Sequence, residues 1–159
     1  MISSFYVIKP RMTRGDLFYK VYVTDTSLLF IKLGGQFHNR DAFENQVPGI
    51  AQLLFLFGFN KVEKRQSQME KSYDESIQQN QVFELLRIKE NFSINHRDIQ
   101  EILVNKKGTL HTGFHDNGTI IIKLKSDKDL KFIIPKTTLR REIHKALHEV
   151  QPPLPVKEL

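Results

Sequence analysis

The chain has 159 residues, 40% of them hydrophobic and 26% charged, with a formal charge of +6 and no cysteine or tryptophan. That length supports one domain with a real core, whereas two domains would each be marginal, and the ordinary composition argues against disorder throughout. The lack of cysteine excludes a disulfide framework, thiolate zinc sites and a cysteine nucleophile, and it fits a reducing, cytoplasmic setting. Residues 1–9 lack a basic stretch followed by a long apolar run, so no signal peptide is expected. The most apolar stretch, 47–59, contains Pro48, Gly49, Gln52 and Gly58. It is too short to cross a bilayer, which needs about 20 residues, so no transmembrane segment is expected. The positive charge favours anionic partners such as phosphates, lipid surfaces or nucleic acid, although a charge of ~2–8 is also ordinary for a small soluble domain.

Residues 5–8 form a short β-prone run ending at Lys9-Pro10, followed by the polar basic loop 11–16. Residues 17–24 are rich in aromatic and β-branched side chains and predict a strand. Asp25-Thr26 turns it, and 27–33 returns as far as Gly34-Gly35. From Asp41 the period becomes helical, with a weak point at Pro48-Gly49. Residues 62–79 are polar and fit an exposed helix, on which Met69, Tyr73 and Ile77 make one narrow packing stripe. Residues 82–86 extend that helix or start a strand. Residues 93–95 and 99–104 are short strand candidates around a polar turn at 96–98. Lys106-Lys107-Gly108 predicts a turn, and Asp116-Asn117-Gly118 a better one, because Asn-Gly supplies the positive φ angles of tight hairpins. Residues 119–124 and 130–134 form a final strand pair. Thr137 or Thr138 then caps a helix through its hydroxyl, with Leu139, Ile143, Ala146, Leu147 and Val150 on one face. Pro152-Pro153 stops that helix and leaves a mobile tail over 152–159.

Residues 19–32, then 119–124 through 132–135, then the helix 139–150 together resemble the pleckstrin-homology-like superfamily, including its GRAM-type and bacterial members. The first segment is similar to the strand pair of such domains in which a Thr-Asp turn precedes an apolar strand. The others are similar to their final hairpin and capping helix. The resemblance covers about half the chain, as a pattern and not a signature motif. It implies an α+β, mainly β fold: a bent antiparallel sheet or partly open barrel capped by a C-terminal helix. The single domain would span 1–151, with a helical insertion at about 41–91 that departs from the family pattern and marks a place for specialised function. The resemblance further implies a non-catalytic adaptor, either cytoplasmic or peripheral to a membrane, that binds a protein segment or an anionic phospholipid headgroup and needs no cofactor. A basic nucleic-acid-binding domain is the alternative. Its basic residues would be scattered, and it would lack an aromatic stacking platform.

In pleckstrin-homology domains the first hairpin loop holds an anionic headgroup with Lys and Arg, and Lys9, Arg11, Arg14 and Lys20 flank that loop here. Arginine forks onto phosphate oxygens, and Gly15 lets the backbone approach. The family's basic-x-basic triplet on the second strand is reduced to Lys20 alone, and the plainer reading is a solvated basic turn. Leu53, Phe55, Leu56 and Phe57 lie in a segment apolar on every helical face. That is normally a buried helix, and it becomes a partner-binding surface if it is exposed. Among the six histidines, His144 and His148 stand four apart, as do His111 and His115. No glutamate base or third ligand accompanies them, so surface histidines explain them better than a metal site. No Gly-x-Ser-x-Gly or phosphate-binding glycine loop is present. Asp16, Asp25, Asp98, Asp116 and Asp127 fall at predicted turns, where aspartate bonds the backbone. Pro152-Pro153-Leu154-Pro155 reads as a helix stop rather than as a ligand for a proline-reading domain.

Overall fold

Strict alternation of side chains builds the first strands. In β1 (Ser3–Lys9), β2 (Leu17–Val23) and β3 (Ser27–Gly34), the side chains of Phe5, Val7, Tyr19, Val21, Leu28 and Phe30 enter one core. Tyr22, Leu29 and Ile31, one residue out of step, enter another. The computed structural model describes residues 2–12, 15–34 and 50–159, with side chains inside the first helix described from residue 63. The remaining elements are α1 (Ile50–Gln78), α2 (Val82–Leu86), β4 (Phe92–Asn95), β5 (Ile99–Asn105), β6 (Asp116–Leu124), β7 (Asp129–Pro135), α3 (Arg140–His148) and β8 (Val156–Glu158).

Among the described residues the strands form one eight-stranded sheet in the order β4-β3-β2-β1-β7-β6-β5-β8. It is mainly β and open at β4 and β8, with an antiparallel meander β1–β4 joined to a second meander β5–β7 through Ile8 and Ile133. The sheet is mixed and not wholly antiparallel, because β8 pairs in parallel with β5. The principal core lies between the two meanders. Phe30 stacks on Phe92 at 4.6 Å and on Phe132 at 5.0 Å. Ile143, Ala146, Leu147 and Val150 close that core from α3, as their spacing predicts, whereas Leu139, expected on the same face, precedes the helix and is exposed.

α1 covers the outer face of β2 and β3. Tyr73 and Ile77 pack with Tyr22, Leu29, Ile31 and Leu85, so two members of the expected stripe are used while Met69 is half-buried. The second strand is consequently buried on both faces, which an antiparallel hairpin with one wet face would not be.

Three local expectations change. Asn117-Gly118 does not turn a hairpin: it sits inside β6 at a register shift between Asp116 and Thr119. The positive φ predicted for Gly118 is there, at 101°, but it serves a bulge. The cap of α3 is not a threonine hydroxyl. Thr138 turns inward, its hydroxyl buried without a partner among the described residues. The helix starts after Leu139, whose N–H donates to Glu142 at 3.1 Å. The tail is docked, with Leu154 buried in the core and the Ile102 N–H donating to the Pro155 carbonyl at 2.8 Å. Proline lacks an N–H, but its carbonyl still accepts from an unpaired strand edge.

Candidate functional site

The four basic residues of the first hairpin do not form one cluster. Lys20 points away from the loop, under α1, and only 7% of it is exposed. Its ammonium donates to Glu70 at 2.7 Å and to Asp74 at 2.8 Å. The Tyr6 hydroxyl donates to Glu70 at 2.5 Å and the Tyr22 hydroxyl to Asp74 at 2.6 Å. The ammonium also sits 5.8 Å and 5.2 Å from the centres of those two rings. Glu70 and Asp74 share a face of α1, so a lysine among strand apolars is matched by an i, i+4 carboxylate pair.

Arg11 is held too. It donates to the Gly15 carbonyl at 2.8 Å and to Glu90 at 3.0 Å. Glu90 also receives Lys32 at 2.5 Å, and the Lys32 hydrogen bond holds its carboxyl below the ordinary range. Lys9 lies 5.5 Å over the Phe92 ring. Arg14 lies outside the described residues, as do the side chains of Leu53, Phe55, Leu56 and Phe57 on the first half of α1.

The lysine network makes a spectroscopic prediction. Burial, then the hydrogen bond to Glu70, pushes the Tyr6 phenol well up, and burial with the Asp74 bond does the same for Tyr22. Burial lifts Tyr19 to about 12. Three of the four tyrosines therefore stay protonated through the ordinary phenol range near ~10. Because their folded values are raised, their contribution to stability is complete below that pH and is lost as pH rises past it. Phenolate absorbance, free of tryptophan here, should rise late in the native protein and normally in denaturant. A native curve matching the denatured one would refute the network.

A different set of residues gathers around the 106–115 loop, where β5 and β7 end and β6 begins. The His111 ring nitrogen lies 2.8 Å from Asp16, tying the 106–115 loop to the first hairpin loop. Asp116 receives the Thr109 N–H at 2.9 Å, the hydroxyls of Thr109 and Thr112, and the Gly118 N–H at 2.8 Å. Burial would raise its carboxyl, but these donors outweigh that and lower it.

Large apolar side chains project from this well-tied pair of loops: Met12 is fully exposed, Leu110 is 84% exposed and Phe114 is 64% exposed. Phe114 also has a φ of 66°. A bulky side chain in the left-handed region is an outlier costing about 1–3 kcal/mol. Here that cost is met for a ring that buries little within its own chain. Lys9, Arg11, Lys106 and Lys107 flank the three side chains in sequence. The 25–26, 96–98 and 125–128 turns meet elsewhere, where the His96 N–H donates to the Thr26 carbonyl and the Lys125 N–H to the Asp98 carbonyl.

Next to the loops lies a cleft of about 750 Å³ lined by Lys106, Asn117, Arg140, Arg141, His144 and Glu158. The Asn117 amide donates to the Thr138 carbonyl at 2.8 Å, and Arg140 donates to the Asn117 carbonyl at 2.9 Å. Sequence reasoning passed over Leu110, Phe114 and this cleft. The available signal was two large apolar residues inside a turn-forming stretch with no strand or helix period. Comparison of the chain with protein-family models, with curated proteins and with solved structures finds no match in any of the three. Among the described residues no helix is long and apolar enough to cross a membrane.

Proposed function

We propose that the chain is a non-catalytic binding module of pleckstrin-homology-like architecture that docks on an acidic lipid surface through the first hairpin loop and the 106–115 loop. The strand order supports the scaffold: one meander of four strands, one of three, a single join between them and a C-terminal helix closing the shared core. The observation that carries the lipid reading is the exposure of Met12, Leu110 and Phe114 on two cross-tied loops, with Lys9, Arg11, Lys106 and Lys107 flanking them in sequence. A basic side chain near an acidic leaflet contributes about 1 kcal/mol. An apolar side chain fully buried contributes about 1.5–3 kcal/mol. Neither alone anchors a protein, whereas the two together give reversible peripheral binding. Nucleic acid would use the charge but has no use for Met12 and Leu110, since unpaired bases are read by stacking and hydrogen bonding.

Co-sedimentation with vesicles tests this. The chain should pellet with phosphatidylcholine–phosphatidylserine vesicles at low salt and stay in solution with phosphatidylcholine alone. Replacing Leu110 and Phe114 together by serine should weaken pelleting about tenfold or more, as losing two partly inserted side chains requires. Pelleting that is absent at low salt, or indifferent to the double replacement, would refute the reading.

A further inference from the structure

We infer that the cleft between the 106–115 loop and the start of α3 is a binding site for an anion of clustered phosphate esters, and that Glu158 of the chain's own last strand is the group such an anion displaces. This goes beyond the lipid-surface reading and does not depend on it.

One carboxylate oxygen of Glu158 is paired with Lys106 at 2.7 Å, and the other lies 3.0 Å from His144 Nε2, a buried ring nitrogen that has no hydrogen-bond partner among the described residues. The bond from Lys106 is the main cause of a lowered Glu158 carboxyl pKa. Glu158 is thus an anion already seated in a basic cleft, and it marks where an anion sits. It does not satisfy the cleft. Arg140 and Arg141 open α3, and Arg141 forms no ion pair with any described residue. Cations are unfavourable at a helix N-terminus, where the macrodipole already places positive charge. Two adjacent arginines there, beside a lysine, form an arrangement that an incoming polyanion relieves.

The geometry also allows the exchange. Glu158 lies on a three-residue strand at the edge of the sheet, where Lys157 and Glu158 are exposed. The strand is anchored by the buried Leu154 and by backbone bonds to Ile102 and Val104, not by Glu158. Its side chain can therefore rotate into solvent while the strand stays paired. Arg140 is pre-positioned by its bond to the Asn117 carbonyl. The cleft is broad and open to solvent, and its lining sets Lys106, Arg140, Arg141 and His144 around one depression, so it offers several basic groups at once to a ligand bearing more than one phosphate. Guanidinium forks match phosphate oxygens in pairs.

Calorimetric titration of the full chain with inositol trisphosphate tests the site. Arg141→Gln should weaken binding about tenfold, the size of a lost charge-assisted pair. Glu158→Gln should tighten it by up to about fivefold, because it removes an exposed competing charge. Denaturation curves for both variants check that each folds. A purely structural Glu158 would give unchanged or weaker binding on Glu158→Gln, and that result overturns the inference, as does a wild-type chain that binds no trisphosphate. The source of the phosphates is read separately. Vesicles containing bisphosphorylated phosphatidylinositol should be compared with phosphatidylserine vesicles of equal charge. Tighter, Glu158-sensitive retention on the former assigns a lipid headgroup, and binding confined to the soluble probe assigns a free phosphate ester. Loss of phosphatidylserine pelleting with the titration intact sinks the loop reading alone. A flat titration with pelleting intact sinks this one alone.

Discussion

Lys20→Ala should lower the unfolding free energy by about 2–4 kcal/mol, measured by chemical denaturation, and should expose the 63–78 half of α1 to limited proteolysis. Breaking a buried ion pair from one side costs about 3–5 kcal/mol because the remaining charge is left unpaired. Lys20 is buried, but Glu70 and Asp74 are 28% and 38% exposed, so water screens what the ammonium leaves behind and the lower part of that range applies. The loss is shared among groups that touch one another: the ammonium, two carboxylates and two phenols. Single replacements should therefore not add. Lys20→Met combined with Glu70→Leu and Asp74→Leu should recover much of the loss, since removing a whole buried charge set is often neutral. If Lys20→Ala is as stable as the parent, α1 is not docked through this residue.

That lysine shows where sequence reasoning stops. An isolated cation beside a basic loop looks like part of an anion site. What gives it a structural partner is a carboxylate pair fifty residues later, in a segment whose polarity argues for solvent. Period-2 alternation fixes which residues of β2 share a face, but it cannot say that a distant helix will cover the polar face. The strands and α3 were legible because each element's own spacing decides its buried side: Ile143, Ala146, Leu147 and Val150 are buried as expected. The 106–115 loop was not legible for the opposite reason. Leu110 and Phe114 carry no period: the Asp116 hydrogen bonds shape their loop, and the His111–Asp16 contact ties it to the first hairpin. The cleft was further hidden because it joins a loop, a helix start and the tail. Leu154 and the parallel pairing of Val156 with Ile102 bring that tail into place, whereas a proline-rich end reads as loose chain.

Gly118→Ala should cost about 3 kcal/mol and abolish the trisphosphate titration, although no side chain at that position reaches the cleft. At a φ of 101° an L side chain is strained whatever its size. An added Cβ would also lie 1.9 Å from the Asn105 carbonyl oxygen and 2.9 Å from its carbon. Those atoms belong to the backbone of β5, so no rotamer relieves the clash and the two strands must part. A substitution incompatible with its native φ costs more than the ~0.4–1 kcal/mol that a compatible one gains, and the steric term adds to it. The functional consequence follows from the neighbour. The bulge turns Asn117 toward the β7–α3 connection, where its amide holds the Lys136 and Thr138 carbonyls and its own carbonyl holds Arg140. Flattening the bulge releases the start of α3 from the 106–115 loop and separates Arg140 from Lys106. Gly108→Ala is the control: its Cβ would meet Phe114 no closer than 3.4 Å, an ordinary contact, so stability should stay within about 0.5 kcal/mol with the titration unchanged. Gly118→Ala with parental stability would mean that β6 is not bulged there. A destabilised but fully competent Gly118→Ala would mean that the bulge shapes the strand without positioning the arginines.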